Sequence, residues 1–250
     1  MTGRRTIAGG RRPWVVLLLI PGLVVSAACG GGSSPTAPAG GSGLTILFTG
    51  PAGVFGDQEA VIAQHVQDTW DAASRQLSLA GITVRVGPGP EYLIPGWGIG
   101  GRGLSATEIE LAVDPSLPGA TVAARLPSLA AHEFHHAARF RGPGYGSTLL
   151  QAMVSEGLAD HYASELFGEP LPPWVDALSE EEFVLWLDRA WPKFDSTTYN
   201  HAAWFFGTGM VPNWTGYTIG FRLVGDYLAA HPGDTAASLV NLEADAFRPD

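Results

Sequence analysis

The stretch Ala131-His132-Glu133-Phe134-His135-His136-Ala137-Ala138 limits what this chain can become more than any other. Within it lies His132-Glu133-x-x-His136. On a helix, residues four apart share a face, one turn above the other. Two imidazoles at that spacing can close on a single metal ion. Glu133 is rotated one residue step away, at the margin of the same face. A carboxylate there can touch a water on the metal without being a ligand itself. Composition sets the weight of the match: with 7 His in 250 residues, roughly 0.01 such spacings are expected by chance. The competing reading is an ordinary amphipathic helix with surface histidines.

That reading weakens at Ala152-Met153-Val154-Ser155-Glu156-Gly157-Leu158-Ala159-Asp160-His161. A hydrolytic zinc site takes three protein ligands and keeps a fourth position open. Two His and one Glu form such a set, and it prefers zinc. Glu156 falls on what reads as the next helix, with Asp160 one turn later. A carboxylate at 160 can accept the second ring N–H of a ligand histidine and fix its tautomer. The alternative for both acids is a solvated helix face. Yet Leu149, Leu150, Met153, Val154, Leu158 and Ala159 surround them, and buried carboxylates need partners. His135 stands at i, i+3 from His132 and is expected to pack or support the site rather than to ligate. His161 is expected on the helix surface. Either one as a fourth ligand would turn the open site into a closed, structural one.

These residues resemble the gluzincin metallopeptidases, the thermolysin-like class with a helical His-Glu-x-x-His and a Glu ligand on a following helix. The Glu156-x-x-x-Asp160 spacing matches too. Segments 132–139, 155–168 and 214–222 are similar to an uncharacterised bacterial family described as predicted zinc-dependent proteases. That likeness runs from about Leu44 to near the C-terminus. The resemblance implies a zincin-like fold and a peptidase that holds Zn²⁺ through His132, His136 and Glu156. Glu133 would then be the general base, and Asp160 would orient a ligand histidine. It also implies a downstream Tyr or His that stabilises the oxyanion of the tetrahedral intermediate. Tyr217 is the first candidate and His201 the second, set against the core packing that aromatics do by default. Residues 96–113 are expected to supply the strand at the cleft edge, where an extended peptide can pair. Two rival functions stay open. One is a zinc hydrolase of a non-peptide amide or ester; the other is a non-catalytic lipoprotein with a structural metal.

The first 28 residues read as an export signal rather than fold. Arg4, Arg5, Arg11 and Arg12 precede an apolar run from Trp14 to Val25, too short for a comfortable membrane span. Ser26-Ala27-Ala28 then lead to Cys29, the single cysteine, and to Gly30-Gly31-Gly32-Ser33-Ser34. Small residues before a lone Cys suggest lipidation at Cys29, although lipoprotein sites favour Leu where Ser26 stands. Ordinary signal cleavage after Ala28 is the alternative. Residues 29–43 would form a flexible tether. The protein is thus expected as a cell-envelope lipoprotein whose domain lies outside the cytoplasm and stands without disulfides. Loss of residues 1–28 leaves 10 basic against 24 acidic residues, a balance of −14. That disfavours nucleic acid and anionic membranes as partners. A peptide or protein substrate is the expected partner, with membrane contact through lipid only. The oligomeric state stays open.

Residues 44–250 are enough for one domain with a real core. The pattern predicts an α+β fold: a small amino-terminal sheet with a helix, then a mainly helical half carrying the metal. Strands are expected at 44–48, 82–86 and 107–114, and a Gly- and Pro-rich loop at 87–103. A helix capped by Asp57 should run to about Leu79, ended by Gly81. The active helix is expected from about Ala120 to Phe140, with Pro127 marking a kink or the true start. Arg139 is expected to complement the dipole at its C-terminal end. Further helices are predicted at 148–167, from a Ser179/Glu182 capping box to Trp191, from about 213 to 230, and from Asp234 to about Ala246.

Overall fold

The computed structural model describes residues 43–168 and 170–249. The expected signal at 1–28, Cys29 and nearly all of the tether lie outside the described residues. The fold is α+β: a sheet with one helix among its strands comes first, and the remaining helices follow. Strands β1 (Leu44–Phe48), β2 (Ile82–Gly87), β3 (Ile99–Gly103) and β4 (Glu108–Val113) form one sheet in the order β1-β2-β4-β3. β1, β2 and β4 run parallel, and β3 returns antiparallel at the edge. In β2, Ile82, Val84 and Val86 are buried while Thr83 and Arg85 are partly exposed, the period of two of a half-buried strand.

Helix α1 (Gln58–Ala73) links β1 to β2. It buries Ile62, Val66 and Trp70, and Trp70 meets Phe134 edge to face at 5.6 Å. Both expected ends of α1 are corrected. The Asp57 side chain makes no capping bond, because turns through 53–58 already occupy the first amides. The helix stops at Ala73, where turn bonds from Gln76 and Leu77 to the Ala73 carbonyl fold the chain inward and bury Leu77. Gly81, with φ +66, instead makes the turn into β2.

The expected loop at 87–103 is also corrected, since its last five residues are β3. Its glycines have poor strand propensity, but contact requires them. A Cβ on Gly101 would lie 2.6 Å from Glu133 Oε1, and one on Gly103 would lie 3.0 Å from His136 Cβ. The Gly98 carbonyl accepts from the Asp114 amide just past β4, and the Leu104 amide donates to the Glu108 carbonyl of β4. By the antiparallel alternation, Ile99, Gly101 and Gly103 therefore turn their backbone groups away from β4. The Ile99 carbonyl is taken by Ile94; beyond it the edge lies alongside the helix that carries the histidines.

That helix, α2 (Gly119–Arg139), runs unbroken past Pro127. The missing amide costs only the bond to the carbonyl of Ala123, a half-exposed residue. α3 (Leu149–Phe167) starts at a Thr148/Gln151 capping box and is buried nearly all round. It contacts α2 and α6 (Thr215–Ala230). A Cβ on Gly157 would sit 2.2 Å from the Gly220 carbonyl oxygen, and one on Gly220 would sit 1.9 Å from that of Met153. Glycine thus sets how deep α3 lies. α4 (Glu180–Ala190), with its Ser179/Glu182 capping box, and α5 (His201–Phe206) complete the helices. Among the described residues no helix is long and apolar enough to cross a membrane.

The helix expected at 234–246 does not form. Turns fill the segment, followed by a 3-10 turn at Ala244–Phe247. Its backbone groups have partners elsewhere. Arg139 donates to the carbonyls of Val240 and Leu242 at 2.8 and 3.0 Å. His135 Nε2 faces the Ala236 carbonyl at 3.3 Å, and Glu165 accepts from the Ala236 amide at 2.8 Å. Arg139, in the last turn of α2 as expected, is thus also a buried clamp on this segment.

Candidate metal centre

The C-terminal half of α2 and the middle of α3 bring His132, His136 and Glu156 together. His132 Nε2 and His136 Nε2 lie 2.9 Å apart. Glu156 Oε2 is 3.1 Å from the first and 3.3 Å from the second. All three residues are buried. Zinc bonds of roughly 2.0–2.1 Å at tetrahedral angles would space ligand atoms about 3.3 Å apart. The triangle is close to that size, and two nitrogens and a carboxylate oxygen are zinc donors. The residues fit the ion.

Asp160 Oδ1 is 2.8 Å from His132 Nδ1. A carboxylate accepts, so Nδ1 carries a proton and Nε2 is the nitrogen that faces the centre. Burial alone would depress His132, but Asp160, by charge and hydrogen bond, and Glu156 lift its pKa well above the ordinary value. Burial alone would raise Glu156, but His136 and His132 hold it well below the usual carboxylate range. The site is built for charge even before an ion enters.

Glu133 lies beside the triangle, buried, with Oε2 unpartnered in the described structure. Burial raises its pKa against the pull of both histidines, and Gly103 packs close to its carboxylate. A buried carboxylate with a free oxygen, against an open strand edge, is equipped to accept a proton.

Neither other histidine joins the three. His135 is fully buried behind the ligands and kept neutral chiefly by burial; its partner is the Ala236 carbonyl. His161, expected on the surface, stacks on Phe221 with ring centroids 4.0 Å apart and donates to the Phe221 carbonyl at 2.8 Å. It fastens α3 to α6.

Tyr217, on α6, is half-buried. Burial raises its pKa well above normal, and Glu156, Asp160 and Glu133 add to the rise, so its hydroxyl lies within the field of all three carboxylates. His201, at the start of α5, stacks on Phe205 at 4.3 Å, and its Nδ1 is 3.2 Å from Tyr199 Oη. Sequence reasoning missed two residues. Tyr145 lies within reach of the Glu156 charge and is raised well above its usual pKa, first by burial and then by that carboxylate. Its ring lies 5.8 Å from His136 and 6.0 Å from His201. The available signal was its place in the short loop joining the two ligand-bearing helices, which the Gly and Pro around it made look like a plain helix stop. Trp174 donates through Nε1 to both oxygens of Asp160, at 3.0 and 3.2 Å; nothing in its local pattern marks it.

The chain is similar to known proteins over part of its length. "Uncharacterized protein YjfC" of Bacillus subtilis (strain 168) is 33% identical over 122 residues, covering 43% of this chain and 41% of its own length. "Uncharacterized protein YjaZ" of the same organism is 31% identical over 127 residues, 48% of each chain. The chain thus spans less than half the length of these curated relatives. No solved structure matches. Residues 103–248, which hold all three metal-facing side chains, match a family, and the chain belongs to it: the family described as "Predicted Zn-dependent protease (DUF2268)".

Proposed function

We propose that the chain is a zinc-dependent peptidase of the gluzincin type. One observation carries the reading: three ligand atoms from two helices converge with Glu133 beside them, next to an edge strand that presents Gly101 and Gly103 to that carboxylate. His132, His136 and Glu156 would hold a zinc ion, which would supply a Lewis acid for the scissile carbonyl and lower the pKa of the attacking water to about 7. Glu133 takes the proton of the attacking water and delivers it to the leaving amine. Asp160 keeps His132 in the ligating tautomer. Tyr217 and His201 are the proposed donors to the developing oxyanion, and Tyr145 belongs to the same cluster. The outward backbone of Gly101 offers an extended peptide its first pairing partner. The pattern of residues 1–34 supports export and a tether at Cys29.

The test joins metal content to turnover. Glu133→Gln should bind zinc as the native chain does and lose hydrolysis of a peptide library by about 10²-fold or more. His132→Ala and Glu156→Ala should lose the zinc itself. Full activity in Glu133→Gln would rule the mechanism out. Turnover of small amides or esters without peptides would move the chain to the non-peptide alternative.

A further inference from the structure

Asp160 is 1% exposed, and its carboxylate needs more than one partner. His132 Nδ1 supplies one bond, at 2.8 Å to Oδ1. The other partner is the indole of Trp174, whose Nε1–H spans both oxygens at 3.0 and 3.2 Å. An indole N–H can only donate. Asp160 is thereby held as an acceptor on both sides, and its plane is fixed by a donor that does not titrate. With His132 alone, the carboxylate could turn about its terminal torsion and the imidazole with it.

Trp174 is itself anchored. It is 4% exposed and follows Pro172 and Pro173. Thr218 on α6 donates Oγ1–H to its carbonyl at 2.9 Å and accepts from the Ala177 amide at 3.2 Å. Its ring meets that of Trp97 edge to face at 4.8 Å, two residues before β3. The loop between α3 and α4 is thus pinned from both ends of the site, by α6 and by the approach to the edge strand.

We propose that Trp174 is a positioning residue for the metal centre, acting through Asp160 to hold His132 in its ligating orientation. The proposal rests on the zinc reading above. Its consequence falls on metal affinity and ligand geometry, not on substrate contact. Partners behind a metal ligand matter 10–100-fold in affinity; one bond further back, about tenfold is expected.

The experiment measures zinc affinity of the full chain by competition with a chromophoric chelator, and the visible spectrum of the Co²⁺-loaded protein. Trp174→Phe keeps the ring and removes the N–H. It should weaken zinc about tenfold and alter the Co²⁺ bands, while the circular dichroism of the zinc-free chain stays native. Asp160→Asn should weaken zinc at least as much, and the double variant no further than Asp160→Asn alone, because both act through one carboxylate. Should Trp174→Phe not fold, Thr218→Val, which frees the loop carbonyl and keeps the indole, should weaken zinc several-fold. Zinc affinity within twofold of native in the variant that folds, beside a weakened Asp160→Asn, overturns the proposal and leaves the peptidase reading standing. So does full additivity in the double variant. A native chain that takes up no zinc removes both.

Discussion

A single methyl group at position 101 would meet the carboxylate of Glu133. The Cβ of an alanine would stand 2.6 Å from Oε1 and 2.9 Å from Cγ, inside any tolerable contact. Either the strand edge retreats or the proposed base swings. The metal-facing atoms of His132, His136 and Glu156 are not the ones displaced. Gly101→Ala should therefore keep zinc stoichiometry and lose turnover by about 10²-fold, the cost of moving a reacting group by roughly an ångström. Metal analysis beside kcat on one peptide checks it; unchanged kcat would mean that Glu133 is not held against this strand during reaction. The residue scale is also where the sequence was most readable. Helical spacing selected His132, Glu133 and His136, because that geometry converts i, i+4 directly into a shared face; Glu156 and Asp160 also needed their apolar surroundings and the ligand count of a zinc site. Tyr145 and Trp174 escaped because loops place them, and no periodicity records where a loop returns.

Elements with strong local signals formed as their residues indicate. The strands at 44–48, 82–87 and 108–113 and helices α2, α3, α4 and α6 lie close to their expected bounds. The failures share a cause. β3 is a strand because it pairs with β4 along its whole length, although three of its five residues are glycine. The segment 234–246 is no helix because Arg139, His135 and Glu165 occupy its backbone groups. In both cases tertiary partners override local preference. The same balance makes the α3–α6 contact testable. Added volume at Gly220 would press on the Met153 carbonyl at 1.9 Å, one turn before Glu156. Gly220→Ala should destabilise by about 3 kcal/mol, read as a melting temperature lower by roughly 2–4 °C per kcal/mol for a domain of this size. A melt unchanged within 1–2 °C, about the shift from half a kcal/mol, would show that the two helices do not meet this closely.

For the molecule as a whole, the ligands join two helices with neighbours on every side, so ion binding and folding are coupled. A ligand that binds only the native state stabilises by about 2.7 kcal/mol at a hundredfold excess over its dissociation constant. Zinc should raise the melting temperature, EDTA should lower it, and added zinc should restore it. The increment has a pH dependence of known sign. In the metal-free site Asp160 and Glu156 hold the His132 proton well above its usual range, and zinc must displace that proton. Lower pH strengthens the competitor, so the zinc-induced rise in melting temperature should shrink as pH falls through neutrality. An increment that grows on acidification would place the ion elsewhere.

Helix α2 is held from behind as well as in front. While His132 and His136 face the ligand triangle, His135 and Arg139 reach the opposite way to the carbonyls of Ala236, Val240 and Leu242. A protease cut that released the stretch beyond residue 235 would strand a guanidinium and an imidazole without acceptors, at a cost of a few kcal/mol. The segment beyond residue 235 acts as the buckle of the helix that carries His132 and His136, and a nick some 100 residues downstream of His132 would be felt as a slack metal site.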